Sequence, residues 1–306
     1  MNINRILNFI PLHIISLFRE WKKYGYYTLL LILLLGHINN SSAQSIQEAK
    51  NPQQVAPLHL GLLPHLSSNL LLKKYQKLIR YLEERLQRRV VVHTAPNFKI
   101  YIQRVIEGRY DLYLTAPHLA AYHESEQGHQ RIAVFGNTLR GLIVVTKDSS
   151  YTQLSDLQGK VFYTPDKLAV ISLLGEVTLQ DNNIDLTINH SSSHNNAMHA
   201  VASGKADAAI VGDAAYRITL NNKKLKKPLR VLTKTESIPS MMFMTPGRTS
   251  DQERETFTRT LLSIENYALG RDFIESVPFD KFKPITDLHM QRLANMVTLL
   301  KQRLNK

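Results

Sequence analysis

The sequence predicts an α/β protein built as two lobes, and three observations carry that prediction. Short apolar runs of strand length alternate with amphipathic stretches of helical period between Leu58 and Pro117. A second series of the same kind runs from Val161 to Val211. Two further apolar runs, 141–147 and 239–245, stand where the chain would leave the first series and return to it. The expected division is a first lobe of 57–146 plus 240–306 and a second lobe of 149–235. Those two strands would be the hinge, and a ligand cleft would lie between the lobes.

The elements follow in order. Residues 44–56 are polar and read as a flexible lead-in. Residues 58–63 read as a buried strand, and Gly61 and Pro64 shape a tight turn at its end. Leu70, Leu71, Tyr75, Leu78, Ile79, Leu82 and Leu86 keep helical spacing and predict a helix over 69–88. A strand at 90–93, a helix at 97–107 stopped by Gly108, and a strand at 111–115 come next. Thr115 closes that strand, and Pro117 opens a helix at a position where its missing N–H costs nothing. This alternation predicts a parallel sheet covered by helices. Strands at 131–135 and 141–147 follow, then a strand at 161–163 and a helix over 168–180. The tail after Ser250 reads as mostly helical.

The stretch from Ser191 to Asp213 is the most informative for chemistry. Ser191, Ser192 and Ser193 place hydroxyls and free N–H groups at a helix start, with His194 beside them. Such a start favours anions, because its orphan donors and dipole point outward. Gly204 ends the helix, and an apolar strand over 206–211 leads to Asp213 at its carboxyl end, where α/β sheets place ligand clefts. Asp207 is expected to order the turn before that strand.

The chain has no cysteine and a net charge of +13, which excludes disulfides and thiolate chemistry and favours anionic partners. Its basic residues are scattered apart from Lys223, Lys224, Lys226 and Lys227, which read as an exposed loop, and no nucleic acid is expected as a partner. Arg19, Lys22 and Lys23 precede an apolar run at 26–35, and Ser41 and Ala43 are small residues suited to cleavage before Gln44. Residues 1–43 therefore read as an export signal. The long segment before Lys22, amphipathic over 6–21, leaves retention as a membrane anchor as the alternative. No nucleophile elbow or Walker loop occurs, so no enzyme is expected. His190 and His194 sit at a strand end and a helix start, and His118 and His123 are five apart. Neither pair shares a helix face, so no metal or cofactor is expected, and these histidines read as polar surface or cleft edge.

Several short segments carry a resemblance in their order and spacing. They are Leu60-Gly-Leu-Leu-Pro64, Val105-Ile-Glu-Gly108, Asp111-Leu-Tyr-Leu-Thr-Ala-Pro117, Leu154-Ser-Asp-Leu157-Gln-Gly159-Lys160, Ser193-His194 and Ala200-Val-Ala-Ser-Gly204-Lys-Ala-Asp207. In these the chain resembles the phosphonate- and phosphite-type periplasmic substrate-binding proteins of ABC transporters, over roughly residues 57–275. The resemblance implies the type 2 periplasmic-binding-protein fold, a periplasmic location, a small anionic solute, an inner-membrane ABC permease as partner, and a monomer. A sensory or accessory protein of the periplasm is the alternative. The resemblance also implies that aromatics near Tyr122 line the cleft and that His194 contacts the oxyanion. Family members that bind phosphonates carry a Ser-Thr-Ser-Gly run at a helix start. Here the segment is Phe162-Tyr-Thr-Pro165-Asp166-Lys167-Leu168-Ala169-Val170, so Thr164 and Lys167 are left to meet an anion. The expected ligand-binding set is Pro64, Thr115, Tyr122, Thr164, Lys167, Ser192, Ser193, His194 and Asp213.

Overall fold

A computed structural model describes residues 56–221, 225–277 and 279–304. The expected signal or anchor at 1–43, nearly all of the lead-in at 44–56, and Lys223 and Lys224 lie outside the described residues. Among the described residues no helix is long and apolar enough to cross a membrane.

Apolar patterning builds the first sheet. Strand β1 (Leu58–Leu62) buries Leu58, Leu60 and Leu62 completely. Helix α1 (Ser68–Leu86) turns Leu71, Tyr75, Leu78 and Leu82 inward at helical spacing and ends on Gln87 in the left-handed region. Strand β2 (Val90–His93) pairs parallel with β1. Asn97 caps helix α2 (Phe98–Ile106), its side chain accepting the Ile100 N–H at 2.9 Å. Strand β3 (Leu112–Thr115) follows, and Pro117 opens helix α3 (Pro117–Gln127) in its first turn. Strand β4 (Gln130–Phe135) completes this run before the chain crosses over through the short β5 (Thr138–Leu139).

The second sheet is built from β6 (Gly141–Thr146), β7 (Val161–Thr164), helix α4 (Val170–Asp181), β8 (Thr187–His190), helix α5 (His194–Ala202), β9 (Ala208–Gly212), helix α6 (Asp213–Asn221) and β10 (Leu229–Lys234). The chain returns through β11 (Ile238–Pro239) into β12 (Met242–Thr245), then helices α7 (Asp251–Leu262) and α8 (Ala268–Ser276), strand β13 (Phe282–Lys283), and helices α9 (Asp287–Gln291) and α10 (Ala294–Leu304). Asp207 orders the entry to β9 as expected, accepting from Val161 N–H at 2.9 Å and Tyr151 OH at 2.7 Å.

Two sheets result. The first runs β13-β4-β12-β3-β1-β2 and the second β10-β6-β9-β7-β8. Both are mixed, which corrects the expectation of a purely parallel sheet. The β1–β2, β1–β3, β7–β8 and β7–β9 pairs are parallel, but β12 and β6 run antiparallel to both of their neighbours. These are the strands that follow each crossing: β12 inserts between β3 and β4, and β6 is the strand against which β9 and β10 later pair.

Sheet membership at the crossing differs from the expected division. Residues 141–146, expected in the first lobe, form β6 inside the second sheet. Its residues need cover on both faces and find it there. Leu142 and Val144 join Met198 and Val201 on one side, while Ile143 and Val145 join Phe162 and Leu179 on the other. Residues 242–245 likewise lie within the first sheet. The link is the separate β5–β11 pair, in which Leu139 faces Ile238. Helix α6 was not anticipated, because the apolar signal ends at Val211 and lysines follow.

His118 and His123, expected at the surface or cleft edge, are fully buried on α3, and His129 is buried beyond it. Helix α3 packs on α10, and its polar positions are covered too: His123 lies against Tyr113 and His129, and His118 against Leu168 ahead of α4. The rings are held within the interior. His118 Nε2 meets Leu168 O at 3.0 Å, His123 Nδ1 meets Gln127 Oε1 at 3.1 Å, and Tyr113 OH meets His129 Nδ1 at 2.6 Å. Burial lowers the first to about 4, the second to about 3 and the third to about 4.

The three imidazoles stay neutral in the native state while the unfolded chain takes up protons below about 6.5. Stability should therefore be complete above that pH and fall as pH drops toward 4, each ring contributing up to about 1.4 kcal/mol per pH unit. Urea unfolding between about pH 7.5 and 5 checks this, and a flat profile would refute it. Gly61 is covered by the Tyr110 ring, so an added Cβ would lie 2.5–2.9 Å from its carbons. Gly61→Ala should cost about 1–3 kcal/mol, read from the urea midpoint. An unchanged midpoint would mean that the ring yields freely.

Candidate ligand-binding site

In the second lobe the parallel strands β7, β8 and β9 end at Thr164, His190 and Gly212, next to the starts of α4, α5 and α6. Helix starts gathered at one sheet edge turn their orphan N–H groups to one place. Ser193 caps α5, its Oγ accepting from Asn196 N–H at 3.2 Å, while Ser192 Oγ accepts from Asn196 Nδ2 at 2.7 Å. Ser191 donates its N–H to Thr164 O at 2.8 Å and its hydroxyl to the same oxygen at 2.9 Å, which pins this turn to the end of β7. The Thr164 hydroxyl is buried against His190 Nδ1 at 2.7 Å.

His194 is the most defined of these groups. Gly212 N–H donates to its Nδ1 at 3.2 Å, so the proton of the neutral ring sits on Nε2. Burial lowers its pKa to about 4, which keeps the ring neutral at physiological pH. His194 thus offers one oriented N–H donor without a charge.

The start of α4 departs from a donor-rich cradle. No side chain caps it, and Leu168 and Ile171 there are buried. Asp166 is turned inward to its own segment, its Oδ1 accepting Leu168 N–H at 2.8 Å and its carbonyl accepting the Ser172 hydroxyl at 2.8 Å. Its carboxylate therefore orders the turn. Lys167 is exposed, and its carbonyl accepts from Arg303 on α10. Asp213 opens α6 and pairs with Arg217 at 3.0 Å, one turn on.

In the first lobe, Thr115 ends β3 and Pro64 follows the end of the neighbouring β1, where Leu63 N–H donates to Leu114 O at 3.1 Å. Thr115 is fully buried and its hydroxyl has no partner among the described residues. Tyr122 is half-buried against the first core, edge-on to His123 with centroids 5.3 Å apart. The two edges meet where His118 Nε2 donates to Leu168 O, which leaves His118 Nδ1 a buried acceptor without a partner among the described residues.

The expected set is thus divided. Thr164, Ser192, Ser193 and His194 gather at one sheet edge with Gly212, and Pro64 and Thr115 share the other. Lys167 and Asp213 are exposed or engaged locally. Sequence reasoning missed His118 and Leu168, which bridge the edges, and Arg303 with Glu176. Arg303 pairs with Glu176 beside a recess of about 400 Å³ that Lys167 and His190 also line. The apolar spacing of Leu293, Met296, Val297 and Leu300 was the available signal for α10, but it names no partner.

Comparison with known proteins agrees with this architecture. The family of ABC transporter phosphonate periplasmic substrate-binding proteins matches residues 60–290. XAC2383 from Xanthomonas citri, bound to chloride ion, is similar with a TM-score of 0.70 and 17% identity, covering 81% of this chain and 98% of that one. PhnD1 from Prochlorococcus marinus in complex with methylphosphonate gives 0.68 and 16%, covering 81% and 98%. A binding protein component of an ABC phosphonate transporter, PA3383 from Pseudomonas aeruginosa, gives 0.64 and 18%, covering 82% and 96%. Matched over well more than half of its length, the chain belongs to the phosphonate-type periplasmic substrate-binding proteins of ABC transporters.

Proposed function

We propose that this protein captures a small oxyanion-bearing solute between its lobes and delivers it to an ABC permease in the inner membrane. It acts as a monomer and without turning the solute over. The observation that carries this reading is His194. Its proton is directed to Nε2 by Gly212, at an edge where the starts of α4, α5 and α6 gather. Helix starts and a neutral N–H donor suit an anion of low charge, because no cation needs to be buried with it. Apolar Leu168 and the inward Asp166 at the start of α4 argue against a doubly charged phosphonate and for a singly charged group, such as a sulfonate or phosphonate monoester. The Thr115 hydroxyl and His118 Nδ1 across the junction would accept hydrogen bonds from a ligand that also carries a donor.

A second reading is a ligand-sensing or accessory protein, held at the membrane by residues 1–43 instead of released by cleavage after Ala43. Helix α10 supports it, since α10 packs against and pairs with both lobes.

A thermal-shift screen against phosphonates, phosphite, phosphate, sulfate and sulfonates, with neutral sugars as controls, tests the first reading. A ligand at about 100 times its Kd should stabilise the protein by roughly 2.7 kcal/mol. His194→Ala should then weaken binding by about 1–3 kcal/mol and leave the unfolding transition cooperative. Unchanged affinity in that variant would remove His194 from the site, and a flat screen would favour the sensory reading.

A further inference from the structure

The C-terminal helix joins parts of the chain that belong to different sheets. Helix α10 packs against α3 of the first lobe and against α4 of the second. Leu293 and Leu300 are fully buried and Met296 nearly so, within one continuous apolar cluster that also holds Leu119 of α3 and Leu173 and Leu174 of α4. Its polar groups divide in the same way. Lys301 pairs with Glu126 at the end of α3 at 2.6 Å. Arg303, two residues on, donates to the Lys167 carbonyl ahead of α4 and pairs with Glu176 within α4. The Arg303 and Glu176 side chains are 14% and 11% exposed, so this pair is shielded from solvent, whereas the Lys301 pair is not. The same two segments meet directly at His118 and Leu168.

We propose that α10 is an intramolecular strap that holds the two lobes together in the absence of ligand, with Leu300 and Arg303 as its fastening. The only other links within the described residues that pass through the chain itself are at β5 and β11, which are two residues each. A hinge of that size permits rotation of one sheet relative to the other, and a helix fixed to both sides opposes it. Removing the Arg303 guanidinium leaves Glu176 buried and unpaired, which loosens the second-lobe end while the first-lobe end stays docked.

The chain has no cysteine, so a pair introduced by Lys99→Cys on α2 and Lys205→Cys beyond α5 can be spin-labelled alone. Both positions are exposed. Pulsed dipolar spectroscopy on the exported, ligand-free protein should give one narrow distance distribution. Adding Lys301→Ala and Arg303→Ala should broaden it toward longer distances, and Leu300→Ala should do the same where that variant still unfolds cooperatively. A distribution left narrow by the Lys301/Arg303 substitutions would overturn the strap, as would a broad one in the otherwise unaltered protein. Both results are read without any ligand, so they stand apart from the outcome of the solute screen.

Discussion

The crossing at Thr138–Leu139 and Ile238–Pro239 is the constraint on which the rest of the molecule depends. Two segments must pass between sheets side by side: the first begins the second sheet as β6, and the second re-enters the first sheet between β3 and β4 as β12. Both β6 and β12 lie antiparallel to their neighbours. The close fit at the crossing uses a residue without a Cβ. At Gly141 an added Cβ would stand 2.5 Å from Ile210 Cδ1 and 3.0 Å from Thr235 Cγ2, while its N–H donates to the Thr235 hydroxyl at 2.9 Å. Arg140 bridges to the Ser237 hydroxyl at 2.8 Å just outside. A link this short transmits chain direction but little stiffness, so the relation between lobes must be set by contacts elsewhere.

Those contacts differ chemically from the ones that define the candidate site. The candidate edge is polar and partly unsatisfied, with Thr115 Oγ1 and His118 Nδ1 buried without partners among the described residues. Each such group costs about 1–3 kcal/mol unless something bonds it. Next to it, Leu168 is buried, and α4 and α10 share an apolar cluster with the first lobe. One side of the junction therefore gains from water leaving, and the other gains from a hydrogen-bonding guest. A solute with an oxyanion and a donor would satisfy the polar side without disturbing the apolar one.

The sequence made some of this legible and hid the rest for physical reasons. Strands such as Leu58–Leu62 and Ala208–Gly212, and helices such as Ser68–Leu86, follow from local periodicity, because burial of one face imposes it. The Ser193 cap and the placement of His194 were readable because capping is local. The sheet that residues 141–146 join is not legible, because β6 is buried on both faces and carries no alternation to show which sheet it serves. The burial of His118 and His123 is not legible in the sequence because it depends on what covers the helix: Leu168, fifty residues on, meets His118, while Tyr113 and His129 lie against His123. Lys167 and Asp213 were read by charge, yet neighbouring groups decide whether a charge is free. Asp213 is held by Arg217, one turn along its own helix.

A strap and a ligand compete in one equilibrium, and this bears on how a binding protein of this family would work. If the closed arrangement is favoured without solute, the solute enters only through the fraction of molecules that are open. Its apparent affinity falls by that fraction, tenfold for each roughly 1.4 kcal/mol of closure. A carrier that must load and unload needs that cost to be small. A sensor does better with a closed resting state that a ligand can bias by relieving strain or satisfying buried groups. The balance here rests on Arg303, whose charge faces a single buried carboxylate and a backbone oxygen. An anion able to draw that guanidinium away would act on the lobes through α10, since a few kcal/mol at a buried pair is comparable to the free energy separating the two states.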